Sequence, residues 1–125
     1  MNRIRRIVLA LAVGMLGSAA HAADCQMTYT PVNVCKRCTT VLNGTTSGAC
    51  SGYAPNQAQS GDRVLLESKI SKQPRNGRAS VSGPTWTYTP KAGFAGRDVF
   101  TVERNLIKDG QLFVYYLQIN LDVKP

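Results

Sequence analysis

The stretch YTPKAGFAGRDVF, residues 88–100, holds the end of one β-strand, a glycine-bearing connection and the start of the next strand. Pro90 ends the first strand because its ring nitrogen has no hydrogen to give to a ladder. Gly93 and Gly96 permit turn conformations that a Cβ opposes. Phe94, between them, is expected to plug the end of an apolar core. Asp98 is expected to accept hydrogen bonds from the backbone amides of this same loop, as short acidic side chains do in turns. The stretch is a strand connection first and a candidate site second.

Upstream of it, Thr85-Trp86-Thr87-Tyr88-Thr89 alternates aromatic with polar residues, which puts Trp86 and Tyr88 on one face, the expected core face. A strand around Ala79 to Val81 precedes it, broken by Ser82-Gly83-Pro84. Pro74-Arg75-Asn76-Gly77 supplies a turn. Before that turn, Val64, Leu66, Ser68 and Ile70 are expected to share one strand face. Downstream, Val99 to Ile107 reads as a strand with Phe100 and Val102 inward, and Asp109-Gly110 is a two-residue hairpin signal. The last strand, Gln111 to Val123, carries Tyr115, Leu117, Ile119, Leu121 and Val123 on one face and Tyr116, Gln118, Asn120 and Asp122 on the other. That alternation is the strongest strand signal in the chain. No stretch shows helical spacing, so the expected fold class is all-β with antiparallel strands.

Towards the N-terminus the character changes. MNRIRRIVLALAVGMLGSAAHA places Arg3, Arg5 and Arg6 before an apolar run from Ile7 to about Leu16 and ends Ala20-His21-Ala22, the pattern of a secretory signal peptide cleaved after Ala22. The run is shorter than the roughly 20 apolar residues a membrane-spanning helix requires. The product is expected to be periplasmic or secreted, without a transmembrane segment. From Ala23 to about Ser60, Pro31, Asn33, Asn43-Gly44, Gly48, Gly52 and Pro55 read as turn formers, and short strands are possible at Met27 to Tyr29 and Thr39 to Leu42. This segment also holds all four cysteines, Cys25, Cys35, Cys38 and Cys50. In an exported chain these oxidise. Three pairings are possible; a bond within Cys35-Lys36-Arg37-Cys38 is the most strained and the most easily reduced, and two longer-range bonds are the expectation.

The order Pro74-x-Asn76-Gly77, Trp86-x-Tyr88-Thr89-Pro90, Gly93-Phe94-x-Gly96-x-Asp98-x-Phe100, followed by a turn and a final alternating strand, resembles the bacterial Ig-like and cadherin-like repeats of large surface proteins. The resemblance runs from about Asp62 to Leu121 and implies an antiparallel Ig-like β-sandwich that serves as a spacer or adhesion unit. Its modules are usually in tandem, usually acidic and generally without cysteines. Here a single copy is basic and carries a cysteine-bearing segment where the first strand or strands of the sandwich should lie. The expected organisation is one domain from 23 to 125, with a disulfide-pinned, loop-rich segment over 23–60 and the sandwich strands over 61–125. The disulfides are expected to replace the neighbours that stabilise a repeat in an array.

Chemistry is narrowed further by what is missing. His21, the single histidine, leaves with the signal peptide, which removes Ser-His-Asp and Cys-His catalysis and every histidine-ligated metal. Cys35 and Cys38 have the spacing of zinc ligands or of a redox pair, but Cys25 and Cys50 form no second such pair and no βαβ pattern surrounds them. Calcium needs several clustered carboxylates, whereas the seven acids, Asp24, Asp62, Glu67, Asp98, Glu103, Asp109 and Asp122, stand apart. Glu67 and Glu103 are read as solvated rather than as a glycosidase pair. Asn43-Gly44-Thr45 matches a glycosylation sequon, which says at most that this position is exposed. No enzyme activity, metal or cofactor is expected.

The full chain carries a net charge of +8; without the three leader arginines, twelve basic face seven acidic side chains. The basic residues, Arg104 among them, are spread along the chain and read as a solvated surface that an anionic partner can use. The expected function is binding of another protein or an anionic envelope polysaccharide, not nucleic acid. The candidate contacts are Arg75 and Arg78 in the first turn, Lys91 and Arg97 flanking the Gly-Phe loop, and Tyr116 on the outward face of the last strand. Two further readings are a structural component of an envelope assembly held by β-strand addition, and a thiol-disulfide protein using Cys35 and Cys38.

Overall fold

The structure, a computed structural model, describes residues 24–28, 35–53, 59–60 and 63–125. The expected signal peptide and its expected cleavage site after Ala22, the expected strand end at Tyr29, the expected turn formers Pro31, Asn33 and Pro55, and Asp62 lie outside the described residues. The strands in chain order are β1 (Cys25–Thr28), β2 (Thr39–Thr46), β3 (Cys50–Tyr53), β4 (Gln59–Ser60), β5 (Arg63–Lys72), β6 (Gly77–Ser82), β7 (Thr85–Pro90), β8 (Gly96–Lys108) and β9 (Gln111–Val123). They form a six-stranded sheet in the order β1-β2-β9-β8-β5-β4 and a three-stranded sheet in the order β3-β7-β6. The described residues contain no helix. The architecture is the Ig-like β-sandwich that the sequence implies.

The core lies between the sheets. Tyr115, Leu117, Ile119, Leu121 and Val123 of β9 are all buried, as their alternation requires, together with Phe100, Val102 and Leu106 of β8. From the smaller sheet, Trp86 meets the Phe100 ring edge-on with centroids 5.4 Å apart, and Tyr88 stacks on the same ring at 5.7 Å. Gly52 on β3 makes room for the indole, since a Cβ there would sit 2.2 Å from Trp86 Cζ2. At the Asp109-Gly110 hairpin, positive φ values of 51° and 76° give the backbone twist that joins β8 to β9.

Several expectations need correction. Val64, Leu66, Ser68 and Ile70 do not share a face: Val64 and Leu66 are exposed, whereas Ser68 and Ile70 are half-buried. The register of β5 against β8 slips between Leu65 and Glu67, and this bulge reverses the alternation. Not all pairing is antiparallel, because β2 runs parallel to β9 from Thr39 beside Tyr116 to Thr46 beside Val123. Asn43-Gly44 makes no turn. It lies inside β2, where the absence of a Cβ on Gly44 admits Met27 of β1. The described residues of the cysteine-bearing segment thus supply strands to both sheets.

The disulfides are Cys25–Cys50 and Cys35–Cys38. One of the two longer-range bonds expected is therefore present and the other is replaced by the local bond. The reason lies in the strand order. Cys25 on the β1 edge of the larger sheet faces Cys50 on the β3 edge of the smaller one, with Cα atoms 5.3 Å apart. Cys35 and Cys38 close a tight turn, with Arg37 at φ 71°, just before β2 enters its parallel ladder. The opposite flank of the sandwich is closed without sulfur. There the Gln73 carboxamide exchanges two hydrogen bonds with the backbone of Ala79 on β6, both at 2.9 Å, and so acts as a short added strand.

Two stability measurements check this arrangement. Replacing Cys25 and Cys50 by serine should cost about 3–4 kcal/mol and replacing Cys35 and Cys38 about 2 kcal/mol, because a cross-link removes more unfolded conformations the longer the loop it closes. Chemical denaturation of both double variants reads the difference. Trp86→Ala should cost roughly 3–5 kcal/mol, and native-like denaturation of that variant would place the indole outside the core.

Candidate binding end of the sandwich

One end of the sandwich is organised around Asp98, which β8 directs inward and buries to 3% exposure. Its carboxylate accepts four hydrogen bonds. Oδ1 takes the amides of Arg75 at 3.1 Å and Val99 at 3.2 Å; Oδ2 takes the Asn76 amide at 3.1 Å and the Tyr88 hydroxyl at 2.8 Å. The carboxylate therefore caps the Pro74–Gly77 turn and not the Gly93–Gly96 turn of its own loop. A side chain pointing into the sandwich reaches across to the neighbouring connection, whereas the Gly93–Gly96 backbone lies outside the strand on its own side. Burial pushes the Tyr88 phenol well above its ordinary pKa, and the hydrogen bond and negative charge of Asp98 push it the same way.

The two connections are also tied directly. The Lys91 amide donates to the Asn76 carbonyl at 2.8 Å, and Gly77 is required because a Cβ there would lie 2.6 Å from the Thr89 carbonyl oxygen and 2.7 Å from the Tyr88 ring. Within the Gly-Phe connection, the Phe94 amide closes a turn on the Lys91 carbonyl at 3.0 Å, with Gly93 at φ 81° and Gly96 at φ 136°. Phe94 is half-buried and packs against the core, as a plug at its end would. Beside it opens a groove of about 450 Å³, walled by Pro90, Lys91 and Phe94 on one side and Val123 and Lys124 on the other.

Of the sequence candidates, Arg75, Arg78, Lys91 and Arg97 are all exposed; Arg75 and Lys91 stand on the turn and loop that meet at this end, and Arg78 and Arg97 on the first residues of β6 and β8 that follow them. Tyr116 does not join them. It stands on the outer face of β9 opposite Glu103 and Thr39, half-buried and roughly 20 Å along the strand from the Arg97–Asp122 pair. Lys124 is a cation at this end that sequence reasoning left unassigned; its position follows from the β2–β9 register, which puts Val123 beside Thr46, and the Lys124 amide bonds the Thr46 carbonyl. At the opposite end Lys36 and Lys108 both lie about 6 Å from the Phe113 ring centre, a pairing hidden until the β8–β9 hairpin is set beside the Cys35–Cys38 turn. Glu67 is exposed and Glu103 pairs with Lys69 at 3.4 Å. Arg104 is not on the surface at all; it is wholly buried.

The sequence matches the bacterial Ig domain family over residues 30–112, and the chain belongs to that family. The match takes in Cys35, Cys38 and Cys50 as well as the Pro74–Phe100 motifs, begins after β1 with its Cys25, and stops just inside β9. A search of the curated proteins finds no relative. Domains of this family are generally non-catalytic modules, and the disulfides fit an extracellular location.

If Asp98 holds the two connections, Asp98→Ala should destabilise the protein by roughly 3 kcal/mol, since it strips a buried hydroxyl and two turn amides of a charged acceptor. Millimolar calcium should leave the melting temperature of the parent protein unchanged. Alkaline unfolding gives an independent check. The fold favours the neutral phenol of Tyr88, so this contribution is complete below about pH 10, where the unfolded tyrosine titrates, and declines as pH rises further. Tyr88→Phe should flatten that decline in denaturation curves recorded above about pH 10.

Proposed function

We propose that the protein is an exported, non-catalytic Ig-like module that binds an anionic partner, an acidic face of another protein or an anionic glycan of the envelope, through the basic end of its sandwich. The observation that carries this reading is the Pro74–Gly77 turn, which the Asp98 carboxylate caps and which the Lys91 amide ties to the Gly-Phe connection through the Asn76 carbonyl, so that Arg75, Arg78, Lys91 and Arg97 stand at one end without a flexible tether. Cations presented on a rigid frame lose little conformational freedom on binding, and the groove between Phe94 and Lys124 gives an apolar contact beside them. Export is supported by the leader pattern and by two disulfides, which persist in oxidising compartments.

A second reading is a structural component joined by strand addition. Its support is the flank of β5: among the described strands β4 covers Arg63 and Val64 and nothing beyond, and Leu66 further along is 56% exposed. The thiol-disulfide reading ranks behind both, because Cys35 and Cys38 are half-buried and their turn is held to β9 by bonds from the Arg37 amide to Val114 and from the Tyr116 amide to Cys38.

Immobilised heparin and polyglutamate serve as probes of the basic end. The triple variant R75E/K91E/R97E should elute from both at markedly lower salt while keeping the parent melting temperature. The same reversal at Lys36 and Lys108 should have a smaller effect. Equal retention of parent and triple variant would sink the proposal, and the mass of the exported protein, expected to begin at Ala23, tests the compartment separately.

A further inference from the structure

Every second residue of β8 from Asp98 to Leu106 faces the interior, and between Val102 and Leu106 that position is Arg104. Its register partners are Tyr115 on β9 and Ser68 on β5, so the three side chains stand in one row across the inner face of the larger sheet. Arg104 and Tyr115 are 0% exposed. Arg104 Nη2 donates to the Pro84 carbonyl in the β6–β7 turn. Its Nε and Nη1, the Tyr115 hydroxyl and Ser68 Oγ are buried with no partner among the described residues.

The charges nearby do not answer this guanidinium. Asp98 faces the same interior but lies roughly 20 Å along the strand and has its own donors. Glu103, the neighbour in sequence, faces outward and pairs with Lys69, and Glu67 is exposed. An arginine cannot escape by losing its proton, and an uncompensated charge in a low-dielectric interior is costly. The row offers the N–H groups of the guanidinium Nε and Nη1 and two hydroxyls, all on one inner face of the sheet, and these are the kinds of donor a small anion needs. We propose that Arg104, Tyr115 and Ser68 bind a halide-sized anion, chloride in the native setting, inside the sandwich. A monatomic ion suits such a set of donors because it accepts hydrogen bonds from any direction, and its charge neutralises the one buried cation among the described residues.

Two measurements on the whole protein test this. In crystals grown without halide and soaked in bromide, anomalous scattering should place bromide within hydrogen-bond reach of Arg104 Nε and Nη1. In solution at fixed ionic strength, the melting temperature should rise as gluconate is replaced by chloride, because an ion that binds the folded state alone stabilises it by mass action. Arg104→Met should abolish that dependence and Tyr115→Phe should weaken it. If Arg104→Met does not fold, the bromide position and Tyr115→Phe decide. Absence of bromide at Arg104 overturns the proposal, as does a chloride dependence that Arg104→Met retains or that Tyr115→Phe leaves at full strength.

Discussion

Four donors converge on the Asp98 carboxylate, and three separate pieces of chain are fixed by that convergence: the turn between β5 and β6, the aromatic strand β7, and β8 itself. Charge-assisted bonds in a dry interior are stronger than their solvated equivalents. Each donor also has a structural duty elsewhere. The Tyr88 ring stacks on Phe100 at the centre of the core, so the same hydroxyl that satisfies Asp98 sets the depth of the aromatic layer. The turn amides sit in the connection between the two sheets, so capping them fixes how the sheets are superposed. The basic end of the molecule is a by-product of this packing: its cations stand on segments that the carboxylate had to immobilise for the fold.

The two flanks of the sandwich solve one problem in two ways. Sheets this small bury a modest core, and small domains draw on cross-links for the remainder. On the β1–β3 flank the Cys25–Cys50 bond joins the outermost strands of both sheets, where ladder bonds cannot reach. On the β5–β6 flank the Gln73 side chain, already positioned by the turn beyond β5, imitates a strand with its carboxamide.

Much of the fold is legible because β7, the Asp98–Val102 part of β8 and β9 from Tyr115 alternate cleanly, and period-two alternation against one buried face leaves a single register. Trp86, Tyr88, Phe100 and the five β9 residues are therefore readable as core from residue order alone. Two features defeat the same logic. The bulge after Leu65 reverses the faces of β5 and leaves no mark in composition, and the parallel β2–β9 pairing joins residues so distant that no local signal records it. Asp98 is recognisable as a capping residue from its chemistry, yet its partner turn is not, because the pattern gives the loop it follows and not the loop it meets across the sandwich. Arg104 is the least legible. An arginine at an inward position of a strand reads as surface until the register shows that it stands in line with Tyr115 and Ser68.

The position of β9 has a consequence for the order in which the molecule forms. It is a central strand of the larger sheet, flanked by β8 through a two-residue hairpin and by β2 through contacts such as Asn43 to Asn120, 77 residues apart. Until it is in place the larger sheet exists as two halves, β1-β2 and β8-β5-β4, each with its inner face open to water. Contacts that close such long loops lose entropy before they gain energy, which puts folding of all-β chains in the range of about milliseconds to seconds. Assembly of the larger sheet therefore waits on the strand that follows all the other described strands in the chain, so its two halves cannot be joined until the end of the domain has been made.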